Sequence, residues 1–111
     1  MQELRLDPGE TLESAIRTVA GALARAHLEG EACLLVVAPR GAWPAPSTAQ
    51  RMEMVRSWAA AAGGRVRLAV VADASLLDPE RVGVVAARGF GLQGEVFQDE
   101  AEARRWLEGP G

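Results

Sequence analysis

The sequence predicts an α/β fold, a single small domain with a mostly parallel or mixed sheet of about four strands and about four helices. Two runs, 32–38 and 66–73, are apolar apart from Arg67 and Asp73 and are typical of strands that are covered on both faces. Segments with apolar residues at helical spacing follow both runs, which gives strand-then-helix units in succession. Such units require parallel pairing and right-handed crossovers. A chain of 111 residues holds one ordinary core, so we expect one domain spanning 1–111.

The segment before the first run predicts a short strand and a long helix. Apolar and polar residues alternate in 2–6, which predicts an edge strand ahead of a turn at 7–10. From Thr11 to about Gly30, apolar residues recur at steps of three and four and predict an amphipathic helix. Its predicted buried face consists of Leu12, Ile16, Val19, Leu23 and Ala26.

The second helix has clear signals at both of its ends. Ser47 and Gln50 have the spacing of a capping box, in which each side chain bonds the other residue's backbone N–H. Gly63 and Gly64 end the helix just before the central strand. The predicted buried face is Met52, Val55, Ala59 and Ala62, and Met54 and Trp58 are interpreted as packing residues.

The last third of the chain predicts a third helix, a fourth strand and a closing helix. Asp78 and Pro79 mark the start of a short helix that ends near 89–91 and carries Val82, Val85 and Ala86 inward. Residues 95–98 predict a brief strand. The final helix has the cap pair Asp99 and Glu102 and one apolar side made of Ala103, Trp106 and Leu107.

Composition excludes several classes of function. The twelve basic residues, all Arg, are outnumbered by 15 Asp and Glu, and a net charge of -3 argues against a nucleic-acid partner. The longest apolar run is far too short to span a bilayer, so we expect a cytoplasmic protein without a membrane span. A lone His27 and a lone Cys33 favour a capping or surface histidine and a core thiol over a metal ligand and a reactive thiol. We therefore expect no metal, no other cofactor and no catalytic residue.

Candidate binding residues follow the two strong strands. The carboxyl ends of parallel strands share one edge of a sheet, and ligands commonly bind there. Arg40 and Trp43 lie in the proline-stiffened segment 39–46, while Asp73 and Ser75 follow the central strand. Trp43 is interpreted either as a contact residue or, as is commoner, as a side chain folded back over the sheet end. The start of the second helix, with Ser47, Thr48 and Arg51, either receives an anion or is plainly capped, and capping is the commoner case.

Two stretches of the sequence carry a resemblance to a known family. They are Arg65-Val-Arg-Leu-Ala-Val-Val-Ala-Asp73, which a helix follows, and Glu95-Val-Phe-Gln-Asp-Glu-Ala-Glu-Ala-Arg-Arg-Trp-Leu107. Over about 31–107 the chain resembles the STAS-like family, specifically the bacterial SpoIIAA-like (STAS/SEC14-type) proteins. The resemblance implies a STAS-like α/β fold, a regulatory role and binding to other proteins.

Two features differ from that family. Where its anti-anti-sigma members have an Asp-Leu/Phe-Ser type phosphoacceptor motif, this chain has Pro39-Arg40-Gly41, although Ser47 and Thr48 occupy a broadly similar helix-start position. In place of the family's N-terminal hairpin, this chain has the single stretch 2–6.

The leading functional hypothesis is a non-enzymatic protein-interaction or regulatory module of STAS-like type, with another protein as its partner. The alternative is a small-ligand protein that binds a nucleotide, an anion or a lipid at the 39–48 end of the sheet. An enzyme ranks third, because no base or nucleophile partner for Asp73 or Cys33 is visible. We also expect a homodimer. The STAS-like winding that the resemblance implies places most helices on one side of the sheet through successive right-handed crossovers, and it leaves the other face, or the edge near 2–6, uncovered.

Overall fold

The computed structural model describes residues 1–41, 43–73 and 82–109, the last range with side chains from residue 85 onward. Strands and helices alternate along the chain, as the sequence predicts. The elements are β1 (Gln2–Arg5), α1 (Leu12–Glu29), β2 (Cys33–Val37), α2 (Thr48–Ala62), β3 (Arg67–Val71), α3 (Val82–Gly89), β4 (Gly94–Phe97) and α4 (Glu100–Glu108). The α/β class, with four strands and four helices in the described residues, is confirmed.

All four strands are parallel and lie in the order β1-β2-β3-β4. Each strand therefore steps to the same side of its predecessor, and right-handed crossovers then place α1, α2 and α3 on one face. The two most apolar strands, β2 and β3, are central, and β1 is an edge strand as predicted. Since every second residue points to the same face, each central strand supplies apolar side chains to both sides of the sheet.

The larger core lies between the sheet and the first three helices. Leu34, Val36 and Leu68 face it from the central strands and are almost fully buried. The helices contribute Val19, Leu23 and Ala26 from α1, Val55, Trp58 and Ala62 from α2, and Ala87 from α3. The predicted inward faces are confirmed at Val19, Leu23 and Ala26 of α1 and at Val55 and Ala62 of α2, whereas Leu12 and Met52 are only partly buried and lie outside this core. Trp58 is a packing residue that donates its indole N–H to the Ile16 carbonyl oxygen at 3.0 Å.

The opposite face of the sheet is covered by α4. Leu35, Ala69 and Val71 from the sheet pack against Ala103 and Leu107 of this helix. Phe97 and Trp106 pack against this second core on the side toward β4, and their ring centroids are 5.8 Å apart. Because Ala69 and Ala103 are both fully buried, α4 lies close against the sheet. The second face, which the sequence left without an obvious cover, is therefore packed.

Arg67 fixes the end of that helix. Its guanidinium lies over the Trp106 ring at 4.3 Å and donates hydrogen bonds to the carbonyl oxygens of Trp106, Leu107 and Gly109 at 2.9 to 3.3 Å. Carbonyls at a helix C-terminus have no partner within the helix, and a cation also complements the helix dipole there. Arg67 thus holds α4 against the sheet through backbone groups.

Several predicted details need correction. Val85 is 63% exposed, so it does not face inward, and Ala87 is the buried residue of α3. The fourth strand begins one residue earlier than predicted. Val70, in the middle of the central apolar run, packs against the larger core but is only partly buried. The predicted helix start at Asp78 and Pro79 lies outside the described residues.

Within the described ranges, no helix combines the length and the apolar character needed to cross a membrane.

Candidate functional site

The carboxyl ends of β2, β3 and β4 border a small cleft. It has a volume of about 210 Å³. Its lining residues are Val37, Ala38, Arg40, Val71, Ala72, Asp73, Gln98 and Glu100. Parallel pairing brings these residues together, because each segment leaves its strand at the same edge of the sheet. Four of these residues are apolar, and the other four, Arg40, Asp73, Gln98 and Glu100, have charged or amide side chains.

Asp73 connects two of these segments. Its Oδ2 accepts a hydrogen bond from the Gly41 backbone N–H at 2.7 Å. Gly41 has φ +65°, a left-handed conformation in which glycine is favoured. This bond ties the segment after β2 to the end of β3 and places Arg40, which is exposed, beside Asp73 at the mouth of the cleft.

Glu100 is part of an ion-pair network. Its two oxygens accept hydrogen bonds from the guanidinium of Arg5, both at 3.1 Å. Arg104 donates to Glu100 Oε2 at 2.9 and 3.1 Å and also to Glu3. The hydrogen bonds from Arg5 first, then those from Arg104, hold the pKa of the Glu100 carboxyl below its usual value. The same bonds to Glu100 raise the pKa of Arg5 and of Arg104.

The segment between β2 and α2 is held at three points. In addition to the bond from Gly41, Trp43 donates its indole N–H to the Glu10 carbonyl oxygen at 2.7 Å. Ser47 and Gln50 form the predicted capping box, with bonds of 2.7 and 3.1 Å. Trp43 is partly buried, which supports the interpretation as a side chain folded back over the sheet end. Its ring anchors the segment, and Pro44 and Ala45 remain exposed.

The predicted site residues do not all come together. Arg40 and Asp73 line the cleft, as the shared strand edge implies. Ser47, Thr48 and Arg51 lie at the start of α2 and are not among the lining residues; Ser47 acts as the helix cap. Ser75 lies outside the described residues.

Gln98 and Glu100 were missed by sequence reasoning. Both follow β4, whose pairing beside β3 brings its carboxyl end to the same edge. The sequence signal was present, since Asp99 and its neighbours directly follow a predicted strand. Glu100 did not stand out because acidic residues are common in the first turn of a helix.

The lone Cys33 and the lone His27 lie away from the cleft. The Cys33 thiol points toward the Leu107 carbonyl oxygen, 3.5 Å away, in the core beneath α4. His27 contacts Gly63 at the end of α2, and its buried Nδ1 has no hydrogen-bond partner among the described residues. No group of three or more His, Cys, Asp or Glu side chains in the described ranges is placed to hold a metal ion.

Comparison of the chain with protein-family models, with curated proteins and with solved structures gave no match. The STAS-like resemblance therefore stays a prediction from the residues that carry it.

Proposed function

We propose that this protein is a non-enzymatic interaction module that binds another protein through the segment 39–47 at the carboxyl edge of its sheet. The observation that carries the proposal is the anchoring of that segment by Gly41, Trp43 and the Ser47 cap. Anchoring contacts at these three residues reduce the conformational entropy that the segment loses on binding, which leaves more of the contact energy for affinity. Among its described residues, the side chains of Arg40, Pro44, Ala45 and Ser47 are exposed.

The charged groups of the cleft support a binding role over catalysis. A general acid or base works best when its pKa lies near the working pH. Glu100 is shifted the other way, because its ion pairs lower its pKa. Both of its oxygens also accept hydrogen bonds from arginine, so the carboxylate is a structural partner for Arg5 and Arg104.

The size and charge of the cleft argue against the larger ligands of the alternative function. Pockets for drug-sized ligands usually measure roughly 300–1,000 Å³. The volume here is about 210 Å³. The lining holds the carboxylates of Asp73 and Glu100 as well as the guanidinium of Arg40, so the cleft has no surplus of positive charge to attract a phosphate. A nucleotide or a lipid therefore fits this edge less well than a protein surface does.

The first prediction tests the binding segment in living cells. A photo-crosslinking amino acid replaces Ala45, and a matched variant carries it at Leu28, which is 84% exposed near the far end of α1. We expect one defined covalent adduct from position 45 and none from position 28. Gel mobility shows the adduct, and mass spectrometry identifies the partner.

Adducts at both positions, or at neither, would contradict the proposed surface.

Thermal unfolding with nucleotides, phosphosugars and lipids tests the alternative function, because a ligand that binds the folded state raises its Tm. We expect no increase with these compounds.

A further inference from the structure

Phe90 is an aromatic side chain that the fold keeps outside the core. It follows the last residue of α3 and is 44% exposed. Gly91, with a left-handed φ of +82°, donates its N–H to the Arg88 carbonyl oxygen at 3.1 Å. The Leu92 N–H donates to the Ala87 carbonyl oxygen at 2.8 Å. These two bonds form a Schellman motif, which fixes the backbone around Phe90.

The motif determines which apolar residue enters the core. Leu92 and Ala87 are each 4% exposed and belong to the larger core, and an apolar contact between these two positions frequently accompanies a Schellman motif. Phe90 stays at the surface while Leu92 is buried. Open space surrounds the places where a Cβ would stand on Gly89 and on Gly91. The two neighbours in the chain therefore leave the ring of Phe90 open to a partner.

The surroundings of Phe90 are basic. The Arg56 guanidinium of α2 lies 5.9 Å from the centre of the ring, which is within the range of a cation–π contact. Arg88 lies two residues before Phe90, and Arg65 lies two residues before β3 at the same edge of the sheet. All three arginines are exposed. Glu53 pairs with Arg56 at 3.6 Å, whereas Arg65 and Arg88 have no ion pair within the part of the chain that the structure describes.

Acidic residues at the amino ends of the strands lie on other sides of the molecule. Glu29 accepts a hydrogen bond from the Gln2 amide at 2.6 Å, and Glu31 pairs with the amino terminus at 3.4 Å. These contacts are at β1, which is three strand spacings, roughly 14 Å, from β4. Glu95 and Glu108 belong to the face of the sheet that α4 covers. The arginines around Phe90 therefore form a local positive surface on a chain with a net charge of -3.

We propose that Phe90, Arg56, Arg65 and Arg88 form a second docking surface, the Phe90 surface, for an acidic protein segment that carries an apolar side chain. The apolar side chain packs on the ring, and the carboxylates pair with the guanidinium groups. Aromatic and arginine side chains carry much of the binding energy at protein interfaces, and opposite charges fix the register of the partner.

The Phe90 surface is separate from the segment 39–47 and does not depend on the function proposed above. Because α3 connects two parallel strands, it runs from the carboxyl edge of the sheet back to the amino edge. Phe90 lies at its amino-edge end, roughly 12 Å along the helix axis from Val82. The segment 39–47 lies at the opposite end of the sheet.

Charge favours a protein segment over an anionic membrane as the occupant. Basic clusters that bind anionic lipids usually hold about four to eight Lys or Arg residues, and the Phe90 surface has three arginines. The net charge of -3 also opposes the approach of the whole chain to an anionic bilayer. A protein segment covers only the local surface, where the arginines outnumber Glu53.

Peptide selection on the full chain tests the proposal. Random short peptides are displayed on phage and selected on the wild type, and those that also bind Phe90→Ala are removed. We expect the remaining peptides to combine Asp or Glu with an aromatic or aliphatic residue. One such peptide is synthesised as selected and also with Asn and Gln in place of its acidic residues, and fluorescence anisotropy gives both Kd values. The neutral copy should bind more weakly, and added salt should weaken binding of the acidic copy.

Two pairs of variants locate the contact. Arg65→Gln and Arg88→Gln should each raise the Kd of the acidic peptide by up to about fivefold, the effect of losing one exposed ion pair. Arg17→Gln and Arg25→Gln make the same charge change at exposed positions of α1 and should leave the Kd unaltered. Thermal unfolding confirms that every variant, including Phe90→Ala, is folded.

Four results would overturn the proposal. They are the absence of peptides that depend on Phe90, dependent peptides without acidic residues, equal effects of the variants in α1 and in the Phe90 surface, and binding to phosphatidylserine vesicles that Phe90→Ala abolishes. The last result would assign the surface to a membrane. None of them bears on crosslinking at Ala45, so the two proposals fail separately.

Discussion

Gly63 lies where the C-terminal ends of α1 and α2 contact each other. Gly63 ends α2 with φ +59°, which is a conformation that side chains with a Cβ rarely adopt. A Cβ at this position would also lie 2.8 Å from Cε1 and 3.0 Å from Nδ1 of His27, in the last turn of α1. Glycine is therefore favoured at position 63 both by the left-handed backbone conformation and by the close approach of the His27 ring.

Gly63→Ala should destabilise the protein more than the same change at the next residue. Gly64 also has a left-handed φ of +74°, but open space surrounds the position of its Cβ. A left-handed residue with a Cβ costs about 1–2 kcal/mol, and both variants carry this cost. Only Gly63→Ala adds the contact with His27, so its urea unfolding midpoint should be the lower of the two.

A double-mutant comparison isolates the contact. In a His27→Ala background the ring is gone, and the difference between Gly63→Ala and Gly64→Ala should shrink. Equal unfolding midpoints for the two alanine variants in the wild-type background would show that the ring moves aside without cost.

The sequence predicts part of this arrangement. Gly63 is recognised as a helix end because glycine after an apolar helical pattern is a strong local signal. The partner of His27 is not recognisable in the same way, because it lies on another helix. Contacts between helices depend on how they are packed together, and a single sequence shows only the spacing within each one.

At the scale of elements, α4 depends on contacts at both ends. A helix of nine residues is marginal on its own. Asp99 caps its start by accepting from the Ala101 N–H at 2.8 Å, and Glu100 pairs with Arg5 of β1. Arg67 binds the carbonyls at its other end. The helix is thereby attached to β1 and to β3.

The ion pairs of Glu100 with Arg5 and Arg104 make the stability of the folded protein decrease in the acid pH range. Its pKa is lower in the folded protein, so its ion pairs stabilise the fold above the pKa that this carboxyl has when unfolded. That contribution is lost as the pH falls through the lower folded pKa. Glu100→Gln should lower the urea midpoint near neutral pH and flatten its decrease toward about pH 3.

Glu102→Gln is the matched control for this prediction. It removes the same charge from the same first turn of α4, at an exposed position. Its pH profile should follow that of the wild type. Because the Glu100 pairs are partly exposed, high salt should also reduce the difference between wild type and Glu100→Gln. Parallel profiles for the two variants would contradict the assigned role of Glu100.

The third helix shows why a predicted face can be wrong. Val82, Val84, Val85, Ala86 and Ala87 are nearly continuous, so apolar residues surround α3 and no single stripe stands out. From this pattern Val82, Val85 and Ala86 were predicted to face inward. In the structure Ala87 is buried and Val85 is exposed, because α3 packs close to α2 and β4 with a small residue at the contact.

For the whole molecule, connection rules explain which features could be predicted. Successive strand-helix units imply a parallel sheet with right-handed crossovers, but they do not decide which face each helix covers. The order β1-β2-β3-β4 does not follow, because each right-handed crossover can step to either side of the sheet. The position of β4 decides which residues reach the cleft. For that reason Arg40 and Asp73 were recognised, and Gln98 and Glu100 were not.

The predicted homodimer rested on an uncovered face or an open edge near 2–6. The structure removes the first ground, because α4 packs over β2, β3 and β4. On β1 the residues of that same face are Glu3 and Arg5, and both pair with α4. Charged side chains on an edge strand disfavour pairing with a second chain.

The other edge strand is also protected. Ala72 donates to the Phe97 carbonyl, so the backbone groups of Phe97 face β3, and by alternation those of Val96 face the open edge. The Val96 N–H donates instead to its neighbour Glu95 at 3.2 Å. A carboxylate at this place occupies a donor that a second strand would need. Both edges of the sheet therefore carry charges that disfavour self-association.

We accordingly expect light scattering to give the monomer mass from low to high micromolar concentration. A dimer mass would show that exposed apolar side chains outweigh the protected edges. Val85 and Val96, which are 63% and 36% exposed, are the candidates in that case. Val85→Lys and Val96→Lys would then locate the contact, since a lysine in an apolar interface is costly and both positions tolerate it in the monomer. A dimer that survives both substitutions would use another surface, and the protection assigned to Glu3, Arg5 and Glu95 would then be insufficient.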